Sequence, residues 1–111
     1  MDKEIMETKS KNIQEIQLLE QTLHNISFQK QAFQLELSEV TESLINLESS
    51  GDEVFKIVGQ LMIKTDKKKS QEEINDKKKM LELRLKSIEK EENIIAKKID
   101  SLREDLLEQK K

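Results

Sequence analysis

Cysteine, proline, tryptophan and tyrosine are all missing from this 111-residue chain, and only three phenylalanines supply aromatic volume. Without cysteine there is neither a disulfide framework nor a thiolate metal site. Without proline nothing interrupts a long helix from within. With 3% aromatic and 34% hydrophobic residues there is too little apolar bulk to fill a globular core, whereas a seam between two helices needs far less. Charge of one dominant sign is lacking as well. Twenty basic residues interspersed with twenty-three acidic ones leave a net charge of −3, so no broad field draws nucleic acid or a membrane surface. No apolar run approaches a membrane span, and the opening MDKEIMETKSKN lacks the apolar stretch of a signal peptide, which predicts a cytoplasmic protein.

Glycine occurs twice, at Gly51 and Gly59, both near the midpoint. On either side the chain repeats a heptad. The first half runs Ile16, Leu19, Leu23, Ile26, Lys30, Phe33, Leu37, Val40, Leu44, Leu47, interrupted only by Lys30. The second runs Ile74, Lys78, Leu81, Leu85, Ile88, Glu92, Ile95, Ile99, Leu102, Leu106, with two polar interruptions. At about 1.5 Å per residue each helix is about 60 Å long. Paired antiparallel, facing residue numbers sum to 118, which sets Ile16 against Leu102, Leu23 against Ile95, Phe33 against Leu85 and Leu44 against Ile74. Ile26 then lies opposite Glu92 and Lys30 opposite Ile88, in neighbouring layers. Lys30 and Glu92 are either two charges snorkelling at the seam edge or a diagonal pair that fixes the register.

The middle breaks the pattern. Ser49-Ser50-Gly51-Asp52 closes the first helix, glycine being the usual residue just past a helix end. Val54–Val58 and Leu61–Thr65 flank Gly59-Gln60, a glycine-first two-residue link that signals a type II′ hairpin. Phe55, Ile57 and Met62 fall on one face, Val54, Val58, Leu61 and Ile63 on the other. A two-stranded hairpin apolar on both faces and open at both edges is marginal alone, so the sequence predicts that these residues and Gly59 form an interface between subunits. The second helix starts between Asp66 and Ser70: Asp66 offers one cap, and Ser70-Gln71-Glu72-Glu73 a better-fitting capping box. The expected organisation is a single unit, 1–111, with helices over about 4–49 and 67–109 and a hairpin over 53–65. The fold class is mainly α, a long antiparallel two-helix coiled coil joined by a β-hairpin that assembles into an intersubunit barrel.

Near the chain termini the seam positions hold Lys9 and Asn12, while Ile5, Met6, Ile13, Leu106 and Leu107 gather without an obvious partner. They are either a frayed last turn or an apolar contact surface. No sign of catalysis appears. There is no glycine-rich phosphate loop, His24 has no second histidine or cysteine beside it, and the carboxylates alternate with lysines as solvated faces do. The sequence predicts no enzyme, no cofactor and no metal. The runs Lys67–Lys69 and Lys77–Lys79 lack interleaved aromatics, which argues against nucleic acid.

The segment Glu53–Thr65, EVFKIVGQLMIKT, resembles the hairpin of the prefoldin β class, V-[YF]-K-x-V-G-x-[LV]-[LM]-[VI]-K. Thr22–Glu36 and Lys78–Lys90, with Leu81–Lys86 as L-E-L-R-L-K, resemble that family's two helices, and the single hairpin is similar to the β rather than the two-hairpin α class. The resemblance spans nearly the whole chain, but at the tips the residues match only in character. It implies a hexamer of two α and four β subunits whose hairpins join in a double β-barrel, with the coiled coils hanging as tentacles. It further implies an ATP-independent chaperone that holds unfolded polypeptides at hydrophobic tips, here Ile5, Met6, Ile13, Leu106 and Leu107, and passes them to a group II chaperonin. The competing reading is a structural or tethering coiled coil with one defined partner helix, which has no need of a two-faced hairpin.

Overall fold

A computed structural model describes residues 2–108 of the chain. The element order is α1 (Asp2–Glu48), β1 (Glu53–Val58), β2 (Leu61–Asp66) and α2 (Lys67–Glu108). The expected end of the second helix at 109 lies outside the described residues. Neither helix contains glycine or proline, and α1 opens with Asp2 and Glu4 against the positive end of its own dipole. Serines and threonines inside α1 bond back to carbonyls four residues earlier, as Thr22 Oγ1 does to Leu18 at 2.9 Å and Thr41 Oγ1 to Leu37 at 2.8 Å.

The chain divides into two compact units. One comprises 1–31 and 86–111, the other 32–85. In the first, Ile16 and Ile26 of α1 and Ile88 and Ile99 of α2 are buried, Ile99 to 4% exposure. In the second the buried residues are Val40, Leu81 and Leu85. All seven belong to the two heptad series. The seam is thin: no described side chain is completely enclosed, because a pair of helices covers each core residue from one side only.

Ion pairs across the seam fix the register within each unit. In the first, Glu15 meets Lys98 at 3.6 Å, residue numbers summing to 113, and Glu20 meets Arg103, summing to 123. In the second, Glu36 meets Lys77 at 3.4 Å, again summing to 113. Pairs on the two flanks of an antiparallel seam straddle the core sum symmetrically, and the midpoint of 113 and 123 is 118. The heptad phases and the ion pairs therefore agree.

The end of α1 departs from the sequence expectation. Gly51 does not take the left-handed conformation that makes glycine a helix terminator; Gly59 is the single described residue with positive φ. The last carbonyls of α1 are satisfied otherwise. Ser50 donates from its amide (3.2 Å) and its hydroxyl (2.7 Å) to the Leu47 carbonyl, and the Lys67 ammonium donates to the carbonyls of Glu48 (3.2 Å) and Ser50 (2.8 Å). A cation at the negative end of a helix complements the dipole as well as the orphaned oxygens. Asp66 provides the cap of α2, its Oδ1 accepting from the Lys68 amide at 3.4 Å, and Ser70 lies a turn inside the helix. The capping box at Ser70–Glu73 is therefore not used. An aspartate at the last position of a strand that runs straight into a helix meets the first free amides before a serine four residues later can.

Candidate functional site

Functional residues sought from sequence fall into two groups, each inside one compact unit. The hairpin belongs to the second unit. Its register pairs Val54 with Thr65, Phe55 with Lys64, Lys56 with Ile63, Ile57 with Met62 and Val58 with Leu61. Cross-strand partners share a face, so Phe55, Ile57 and Met62 lie on one side and Val54, Val58, Leu61 and Ile63 on the other. Both sides are open: Ile57 is 71% exposed and Leu61 67%, and of the seven apolar residues only Val54 is half-buried. Gly59 has φ +62° while Gln60 stays negative, which makes the turn type II′, since type I′ needs positive φ at both positions. Lys64 reaches Glu53 across the strands at 3.3 Å, and Lys56 ties β1 to Glu73 of α2 at 3.2 Å. An open hollow lies beneath the hairpin, with Leu47, Val54, Phe55, Met62 and Ile74 among its walls.

The second group sits in the first unit, at the start of α1 and the end of α2. Lys9 and Asn12 are half-buried in seam positions, whereas Ile5, Met6, Ile13 and Leu107 are exposed and Leu106 is half-buried. Polar groups thus occupy seam positions near the start of α1, while Ile5, Met6, Ile13 and Leu107 are left open to solvent.

Lys30 and Glu92 face each other at 3.0 Å. The hydrogen bond to Glu92 holds the Lys30 ammonium above its ordinary pKa against the opposing effect of burial, and the charges of Glu92 and Glu89 add to the rise. Of the two sequence readings of this pair, the diagonal contact is the one realised. Arg84, from the LELRL stretch, lies 5.7 Å from the centre of the Phe33 ring, a cation–π contact that heptad reading does not reveal. His24 stands edge-on to Phe28, ring centres 4.8 Å apart, and helps line a shallow hollow with Leu23, Glu92 and Asn93. Among the described residues no group of three or more His, Asp or Glu side chains is placed to hold a metal ion, and no helix is long and apolar enough to cross a membrane.

A family model described as "Prefoldin subunit" matches residues 10–111. The prefoldin subunit beta of Sulfurisphaera tokodaii is 36% identical over 95 residues, spanning 84% of this chain and 76% of that one. That of Thermococcus onnurineus is 39% identical over 85 residues, 75% of this chain and 73% of the relative. The crystal structure of the prefoldin beta subunit from Thermococcus strain KS-1 superposes with a TM-score of 0.83 at 33% identity, covering 87% of each chain. Two long helices about a single type II′ hairpin, matched along most of their length by these relatives, place the chain in the prefoldin family as a β-class subunit.

Proposed function

We propose that this chain is one of four β subunits that join two α-class subunits in a hexameric, ATP-independent chaperone of the cytoplasm, which holds non-native polypeptides and delivers them to a group II chaperonin. The observation that carries the reading is the hairpin, exposed and apolar on both faces. A strand pair of that kind loses little by leaving water and gains two open edges' worth of hydrogen bonds when paired with others, so barrel formation between subunits is its natural outcome. The terminal group Ile5, Met6, Ile13, Leu106 and Leu107 supplies the client surface. Each such surface binds weakly, and several in one assembly bind together with avidity, which suits clients that share exposed apolar segments and nothing else. Two-helix tentacles without a shaped pocket accommodate many sequences.

The test is to measure the mass of the purified chain alone and mixed with an α-class subunit, then to ask whether the mixture keeps a denatured test protein from aggregating with no nucleotide present. The expected result is a hexamer with two α and four β chains that suppresses light scattering. A monomeric chain that ignores the α subunit and a denatured client alike would defeat the proposal and favour the tethering coiled coil.

A further inference from the structure

Lys67, Lys68 and Lys69 open α2, and its first turn holds no acidic side chain. Cations there face the positive end of the helix's own dipole, the reverse of the usual placement. The end of α1 has the complementary lack, with no basic residue in its last turn to meet its carbonyls. One contact joins the two anomalies. Lys67 Nζ donates to the Glu48 carbonyl at 3.2 Å and to the Ser50 carbonyl at 2.8 Å, so the first residue of α2 supplies the cation that α1 lacks. A residue that breaks the rule of its own helix to serve another element points to a role at the joint between them.

That joint carries the hairpin. Strand β2 runs into α2 with no intervening residue, whereas α1 reaches β1 through a link of four residues, 49–52. Open space surrounds the Gly51 Cα, so packing does not hold the link there. The hairpin itself is tied from Glu53↔Asp66 to Val58↔Leu61 and moves as one piece. Its ion pair to the helices, Lys56 to Glu73 at 3.2 Å, is about half exposed on both sides, and such solvated pairs hold little. Lys67 is half-buried, and both of its hydrogen bonds are charge-assisted. By gripping the last residue of α1 and the middle of the link, it fixes where the chain leaves α1 relative to where it enters α2. An assembly built through hairpins closes only if each meets the next at one rotation. We propose that Lys67 is a positioning residue for assembly: its two hydrogen bonds fix the direction of the hairpin against the helix ends, and so the number of subunits at which the assembly closes.

This rests on the assembly through hairpins proposed above, and two measurements separate the two. The chain has no cysteine, so spin labels enter cleanly at Gln60→Cys on the turn and Glu42→Cys on α1. Their distance distribution reports the direction of the hairpin in the chain alone, and sedimentation with an α-class subunit reports the subunit count. Lys67→Met keeps the apolar stem without the donors, Lys67→Gln is uncharged and one bond shorter, and Lys67→Arg keeps a cation; all three are good helix formers. The expected result for Met and Gln is an unchanged helical signal, a distance distribution about twofold broader, and loss of the single hexameric mass to a spread of sizes. Arginine should keep the parent's distances and mass. A cap that served stability alone would lower the thermal midpoint and leave distances and mass as they were. That outcome, or loss of helical signal in both uncharged variants, would overturn the proposal. If the unsubstituted chain forms no hexamer with the α-class subunit, the assembly reading falls and takes the subunit count with it, while the distances still decide whether Lys67 sets the joint.

Discussion

At the residue scale, two positions have consequences that can be measured separately. Lys30 has a folded-state pKa above its ordinary 10.5, raised first by the hydrogen bond to Glu92. A group whose pKa is raised on folding contributes stability that is complete below its unfolded value and is lost as pH climbs through the folded one. The seam should therefore weaken above about pH 10.5 by an amount that Lys30→Met removes. Thermal midpoints of the two proteins, compared from pH 8 to 11.5, should converge at the alkaline end, and parallel curves would dissociate the pair from stability. Gly59 is the other position. At φ +62° any side chain is strained although open space surrounds it, so Gly59→Ala should cost about 1 kcal/mol through the backbone alone. Gly51→Ala, at ordinary φ, should be neutral or mildly stabilising by denaturant titration.

At the element scale the helices carry their own instructions, and the joints between elements do not. The a/d series predicted every buried residue of the seam, because the sequence period is the physical cause of burial. The hairpin was equally legible: Gly59 before Gln60 between β-branched runs admits one turn. The end of α1 was not. Gly51 suggested a glycine cap, yet Lys67, sixteen residues later and across the hairpin, supplies the hydrogen bonds. Nothing local in the sequence announces a partner that distant. The sequence leaves the start of α2 open between Asp66 and Ser70, with the better-fitting box at Ser70, and Asp66 is the cap used, since the choice depends on where the strand stops. The apolar residues at the termini could be found from sequence but not assigned, because exposure alone does not distinguish a frayed turn from a surface. For the seam, Leu81→Ala should cost roughly 2–4 kcal/mol, as for other buried leucines, and Glu42→Ala should change the midpoint little. Cysteines at Leu23 and Ile95 should crosslink within one chain; bridging only at positions seven residues displaced would shift the register from 118.

For the whole molecule, assembly and client holding are assigned to different residues, so each should be removable alone. Ile57→Asp or Ile63→Asp puts a carboxylate on one or the other hairpin face, and either should disperse the oligomer in sedimentation while the helical signal remains. Deleting residues 1–13 and 104–111 should do the reverse. That cut removes Ile5, Met6, Ile13, Leu106 and Leu107 but spares every buried seam residue, including Ile16 and Ile99. The truncated protein should keep the oligomer's subunit count and lose most of its power to prevent aggregation of a denatured protein. A single change such as Ile13→Ser should lose only part of it, since many weak sites share the load. If the truncated oligomer instead protects as well as the intact one, holding does not depend on the terminal surface.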